Sequence, residues 1–198
     1  MKPPVFEYER PPNVRAALEA LSKHGGKAKL LAGGHSLIPQ LNLRAISPGR
    51  LIDIGRLTEL QYITEDYGQL RIGALTTHNT IFRSAAVASG CPIMIEAYQH
   101  VANHSIRNRG TLGGNLCHND PAFELPLVIA LLGGSMLARS ARSQRTGSNS
   151  ASVSNRSSSA REKGRPWPKG ERSNCAQRLA RLGATSRMRP SGASTRHN

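Results

Sequence analysis

Two short stretches of this chain combine paired glycines with a hydroxyl or amide side chain. Leu30-Leu31-Ala32-Gly33-Gly34-His35-Ser36-Leu37 carries an apolar run into a segment without bulk, followed by a serine. Gly110-Thr111-Leu112-Gly113-Gly114-Asn115 repeats the arrangement with threonine and asparagine. Glycine removes the side chain that keeps a ligand from the backbone and admits unusual dihedrals, so amides in such a loop can approach a phosphate or diphosphate closely. Two loops of this kind can hold one diphosphate between them. The plain alternative is that each glycine pair marks an ordinary turn. Neither loop is a P-loop, since no Gly-Lys-Ser/Thr ending is present, and neither is a Gly-x-Gly-x-x-Gly fingerprint. Phosphate logic therefore implies a ligand class and no reaction.

Other groups have chemistry available but weaker arrangements. His35 has the ring of a general base. Cys117, His118 and Asp120 are metal-ligand types, but three ligands within four residues offer poor tetrahedral geometry. Arg107 and Arg109 suit a phosphate, a partner subunit or plain solvent. Cys91 fits a small buried residue.

The elements that must hold these groups follow from periodicity and breakers. Phe6 to Arg10 suits a strand, and Asn13 caps a helix whose Val14, Leu18 and Leu21 recur at helical spacing, until Gly25-Gly26 stops it. Lys29 to Ala32 and Leu51 to Ile54 are strands. Residues 60–64 and 69–74 flank Glu65-Asp66-Tyr67-Gly68 as a hairpin. Helices are expected near 79–89 and 92–103, separated by Gly90 and Pro92. Ser105 to Asn115 reads as a glycine-punctuated loop against a strand. Pro121 is expected to start a well-buried helix over 121–132, since apolar residues nearly surround it, and Met136-Leu137-Ala138 to begin a strand.

Charge is unevenly distributed. Of a net +15, nine charges fall within residues 147–198, where serine is abundant and large apolar residues have no sustained period. A segment of that composition cannot offset its ordering entropy by burial, so residues 147–198 are expected to form a disordered basic tail behind a domain over 1–146. Cys91, Cys117 and Cys175 lack the close pairs of a zinc site or disulfide framework, which favours a reducing compartment. The N-terminus has no apolar leader and no stretch is long enough to span a membrane, so a cytoplasmic location is expected.

Ala32-Gly33-Gly34-His35-Ser36-Leu37-Ile38-Pro39, Leu51-Ile52-Asp53-Ile54, Ile106 through Asn115, and Asp120-Pro121 through Leu125-Pro126 stand in the order and spacing of one family. Through its first 146 or so residues the chain resembles the FAD-binding (medium) subunits of molybdenum hydroxylases, the carbon monoxide dehydrogenase and xanthine dehydrogenase family. The resemblance implies an α/β (α+β) fold: a two-part FAD domain of the vanillyl-alcohol oxidase type, here truncated. It implies FAD as cofactor, with Ala32, Gly33, Gly34, His35 and Ser36 as the first diphosphate loop. It makes Thr111, Leu112, Gly113, Gly114 and Asn115 the second loop, and Glu124 an acceptor for a polar part of FAD such as the ribose. Glu124 also suits a solvated carboxylate in the first turn of a helix. His35 then serves loop geometry, and no metal site or catalytic side chain is expected, because the flavin carries the redox chemistry.

The implied function is electron transfer: FAD receives electrons from iron-sulfur clusters and passes them to a terminal acceptor. The implied partners are a molybdenum-cofactor large subunit and a [2Fe-2S] small subunit. Beyond Thr146 the family's pattern is lost, as expected of a GC-rich gene read in a shifted frame. Two alternatives accompany this reading: a truncated, frameshifted fragment without catalytic activity, and nucleic-acid binding through the basic tail.

Overall fold

The computed structural model describes residues 2–66 and 68–139, and beyond them the backbone of 151–153 and 185–188. Its first part runs β1 (Glu7–Glu9), α1 (Val14–His24), a 3-10 turn, β2 (Ala28–Leu31), α2 (Leu37–Asn42) and β3 (Arg50–Asp53). The strands form a parallel sheet in the order β1-β3-β2. Parallel neighbours need a crossover, and α2 supplies the one from β2 back to the central β3. The Asn13 side chain accepts the Ala16 amide at 2.8 Å and starts α1 as expected. Val14, Ala17, Leu18 and Leu21 then meet Ala28, Ile52, Leu57 and Leu75 in one core. Each leucine so buried stabilises by roughly 1.5–3 kcal/mol.

The second part opens with the expected hairpin of β4 (Ile63–Asp66) and β5 (Gln69–Gly73), paired from Ile63↔Ile72 to Asp66↔Gln69, with Gly68 at φ 69° in the turn. Six short helices follow: α3 (His78–Phe82), α4 (Ala85–Gly90), α5 (Pro92–His100), α6 (His104–Arg109), α7 (Leu112–His118) and α8 (Glu124–Leu131). They surround a second core that includes Ile72, Ile81, Met94, Tyr98, Leu112 and Leu125. β6 (Ser135–Ala138) joins β4 and β5 in an antiparallel sheet with two strands described by their backbone, β7 (Ala151–Val153) and β8 (Thr185–Met188). The order is β4-β5-β8-β6-β7.

Four sequence expectations are corrected. The helix expected over 79–89 is two, because Ser84 is extended and its hydroxyl accepts the Val87 amide as the cap of α4. The loop expected over 105–115 is largely helical: Asn103 caps α6 and Thr111 caps α7. Glycine costs about 1 kcal/mol inside a helix, and burial of Leu112 and Leu116 outweighs that cost in α7. Pro121 does not start α8. Asp120 accepts the Ala122 amide in a turn, and the helix begins at Glu124. Nor is α8 buried all round: Leu125 and Ile129 face the core, while Leu127 and Leu131 are 73% and 70% exposed. The short helix α2 carries no expectation at all, since Pro39 obscures it.

The tail enters the structure at two places. β8 pairs with both β5 and β6, and β7 pairs with β6. Ladder bonds join backbone to backbone and ask little of side-chain pattern. These short strands amend the expectation of a structureless 147–198; the rest of that segment lies outside the described residues. Among the described residues, no helix is long and apolar enough to cross a membrane.

Candidate functional site: a cleft between the two parts

A cleft of about 480 Å³ lies between the parallel-sheet part and the helical part. Both glycine segments line it, together with His78, Phe123, Glu124 and apolar side chains of α1 and the β3–β4 connection. The first segment, Ala32–Ser36, leaves the C-terminal end of β2, the edge at which open α/β sheets present their ligand crevices. Gly34 holds φ 80°, a conformation that strains any side chain. The Gly34 carbonyl accepts the Ile38 amide and starts α2. The amides of Gly33, Gly34, His35 and Ser36 donate no hydrogen bond among the described residues, and the Ser36 hydroxyl caps nothing.

The second segment is organised differently. The Leu112 amide donates to Thr76 O at 3.1 Å and the Gly113 amide to Ala74 O at 2.8 Å. The Gly114 amide donates to Thr111 Oγ1 at 3.2 Å, and the Asn115 amide to Thr111 O at 3.0 Å. The backbone amides from 112 to 115 are therefore already engaged. The Asn115 side chain offers what they do not: its Oδ1 is buried and unpartnered. Glycine at 113 is required by space, because a Cβ there would lie 2.8 Å from both Cβ and O of Ala74.

The two segments touch through Gly33. A Cβ on it would sit 2.1 Å from the Arg109 carbonyl oxygen and 3.0 Å from Gly110 Cα. Behind Gly110 stands His78, whose amide donates to Gly110 O at 3.0 Å. The His78 ring is buried, with Nδ1 3.3 Å from the Tyr98 hydroxyl. Burial, with a smaller push from His35, lowers the His78 pKa to about 4, so the ring is neutral at pH 7. Burial also pushes the Tyr98 phenol up, keeping it protonated.

Asp53 ends β3 beneath the first segment. Its carboxylate accepts from the Tyr8 hydroxyl, from Arg10 at 2.7 Å and from the Gly55 amide at 2.9 Å. Burial opposes ionisation here, but the three donors outweigh it and hold the carboxyl below its ordinary range. Sequence reasoning assigned no role to Asp53, although an acid inside the apolar run Leu51-Ile52-Asp53-Ile54 is a usable signal. His78 and Tyr98 gave no signal, since their pairing is purely tertiary.

The remaining candidates separate clearly. Glu124, in the first turn of α8, is half-buried on the cleft wall, and its carboxylate makes no hydrogen bond among the described residues. His35 is exposed at the cleft. Arg107 does not line the cleft: it donates to the carbonyls of Tyr98, Val101 and Ala102 at the end of α5 and lies 5.5 Å from the Phe82 ring centroid. Arg109 is exposed, and its main chain, not its charge, meets the first segment. His118 approaches Asp120 only to 4.0 Å and meets the Phe123 ring at a tilt, and no group of three His, Cys, Asp or Glu among the described residues is arranged to hold a metal. Cys91 is buried as expected, and burial raises its thiol pKa.

Four unengaged amides and an unpartnered asparagine on one cleft fit a ligand that brings an anionic diphosphate and further polar groups. Comparison with known proteins agrees. Residues 4–164 match the family described as the FAD binding domain in molybdopterin dehydrogenase. The chain is 41% identical over 140 residues to the caffeine dehydrogenase subunit beta of Pseudomonas sp. (strain CBB1), covering 71% of this chain and 48% of that one. It is 43% identical over 128 residues to the carbon monoxide dehydrogenase medium chain of Hydrogenophaga pseudoflava, covering 65% and 45%. The chain thus spans about half the length of the curated relatives it matches. A solved carbon monoxide dehydrogenase from Hydrogenophaga pseudoflava superposes with a TM-score of 0.78 at 31% identity, covering 98% of this chain and 62% of that one. By sequence, fold and cleft together, the chain belongs to the FAD-binding domain family of the molybdopterin dehydrogenases, the flavoprotein subunits of molybdenum hydroxylases.

Proposed function

We propose that this chain is the FAD-binding part of an electron-transfer subunit, taking electrons from iron-sulfur clusters and delivering them to a terminal acceptor. The unengaged amides of Gly33, Gly34, His35 and Ser36, on a cleft shared with Asn115, carry this reading. In it the amides of Gly33 to Ser36 and the Ser36 hydroxyl hold the FAD diphosphate, with Ala32 setting the start of the loop. Thr111 to Asn115 form the opposite wall. There Leu112 and Gly113 fix the backbone, Gly114 leaves room, and the Thr111 hydroxyl and Asn115 amide face the cofactor. Glu124 accepts from a polar group such as the ribose. FAD, when bound, supplies the redox chemistry, and the chain supplies position and exclusion of water.

The partners in this reading are a molybdenum-cofactor large subunit and a [2Fe-2S] small subunit. Residues 1–146 carry the FAD-binding unit, and the Ser/Arg-rich residues 147–198 arise from a shift of reading frame near Thr146. Translation of the other frames checks that point: a strand-helix pattern restored in one of them supports the shift, and none in either frame refutes it. Binding is checked by titrating the purified full chain with FAD and following flavin absorbance and fluorescence. Stoichiometric binding is expected. A folded chain that leaves FAD free in solution contradicts the assignment.

A further inference from the structure

Among the polar groups that line the cleft outside the two glycine segments is one to which the FAD assignment above gives no role. His78 is 3% exposed, yet it lines the cleft, and a Cβ on Gly110 would meet its Cδ2 at 2.7 Å and its Nε2 at 3.1 Å. The ring therefore stands at the seam where Gly110 meets Gly33. Its Nδ1 is 3.3 Å from the Tyr98 hydroxyl, and its Nε2 has no hydrogen-bond partner among the described residues.

The Tyr98 hydroxyl decides which nitrogen carries the proton. Tyr98 is fully buried, and His78 Nδ1 is the hydrogen-bond partner of its hydroxyl among the described residues. If Nδ1 were protonated it would donate to the phenol oxygen, leaving the phenol O–H buried without an acceptor. That loss costs about 1–3 kcal/mol. If the phenol donates to Nδ1, both groups are satisfied and the proton resides on Nε2. The ring is thereby a neutral donor facing the cleft, and at pH 7 its low pKa keeps it so.

We infer that His78 is a cofactor-binding residue whose Nε2–H, oriented by Tyr98, donates a hydrogen bond to a diphosphate oxygen of FAD. This rests on the cleft being the FAD site. A neutral donor suits the place: it binds an anion with no counter-charge to desolvate, and Tyr98 fixes the ring before the ligand arrives. Tyr98 itself is a positioning residue, acting only through His78. Backbone amides and this imidazole then approach the diphosphate from two directions, the first from the parallel sheet and the second from α3.

The test uses the full chain, with FAD and ADP as separate probes, since ADP carries the diphosphate without the flavin. H78L is expected to weaken both ligands about ten- to a hundredfold, the range for a hydrogen bond to a charged group. H78Q, whose amide reaches the Nε2 position, restores most of the affinity. H78N, whose amide reaches only the Nδ1 position, does not, and this pair carries the comparison if H78L fails to fold. In the cofactor-free chain, nitrogen NMR of labelled histidine is expected to show His78 protonated at Nε2, with Y98F mixing the tautomers. Undiminished affinity in H78L, equal weakness of H78Q and H78N, a loss with FAD but not ADP, or protonation at Nδ1 each overturns the proposal. A parent chain that binds neither ligand yet shows the Nε2–H tautomer refutes the FAD site, and the donor role with it.

Discussion

Gly33 and Arg109 meet main chain to main chain, so closely that a Cβ on the glycine would lie 2.1 Å from the arginine's carbonyl oxygen. The contact joins the loop that leaves the parallel sheet to the C-terminal end of α6, at the cleft. Gly33→Ala therefore forces backbone to move. Overpacking of this kind costs about 1–3 kcal/mol. Thermal unfolding should report that loss, and FAD titration should show weaker binding at temperatures where the variant is fully folded.

Asn115 predicts the opposite pattern. Its buried Oδ1 has no partner, so Asn115→Ala removes an unsatisfied group from the cofactor-free chain. Stability of that chain should stay within about 1 kcal/mol of the parent, while FAD affinity falls about tenfold. Parallel melting and titration curves separate the two effects.

His78 makes the stability of the chain acid-sensitive. Its folded pKa of about 4 lies below the unfolded value of 6.5, so between these limits the unfolded chain binds more protons than the folded one. The contribution is complete above about pH 6.5 and is lost as pH falls towards 4. Each pH unit separating the two values is worth about 1.36 kcal/mol, which puts the contribution on the order of 3 kcal/mol. Denaturant unfolding across that window should show the slope in the parent and a flatter profile in His78→Gln.

Asp53 acts lower on the pH scale. Its folded carboxyl is held below the ordinary range by Tyr8, Gly55 and Arg10 despite burial. Its stabilisation is present above the unfolded pKa near 3.9 and disappears as pH falls through the folded value. Asp53→Asn should cost about 1.5–3 kcal/mol at pH 7, the range for hydrogen bonds to a charged group, and little at the acid end of the same titration.

The two faces of α8 should respond differently. Leu125 is fully buried, and Leu125→Ala is expected to cost about 2–5 kcal/mol. Leu127→Ala and Leu131→Ala remove exposed side chains and should stay within about 0.5 kcal/mol. Chemical denaturation of the three variants checks the orientation of the helix directly.

Much of the fold was legible where periodicity and local capping agree. Asn13 with Val14, Leu18 and Leu21 announced α1, and Gly68 between two alternating runs announced the hairpin. The first glycine segment was legible as a loop for the same reason, since an apolar strand breaks there into Gly33-Gly34. The second was misread as a loop because Gly113 and Gly114 look like breakers, whereas Thr111 caps them into α7 and Ala74 leaves space only for a glycine. Burial of α8 was overestimated because composition does not reveal which face has a neighbour. The His78–Tyr98 pair depends on how α3 packs against α5, and the clamp on Arg107 on how α6 turns back on the end of α5; no local pattern encodes either.

The unequal state of the two glycine segments has a consequence for how affinity can change. Amides 112 to 115 are fixed before any cofactor arrives, so the entropy lost on binding is concentrated in the few residues between Ala32 and Ser36. On the proposed assignment of the FAD site, affinity therefore depends on the preorganisation of that loop. A change that stiffens it without touching FAD would tighten binding, and one that loosens it would weaken binding, even with every cofactor contact unchanged.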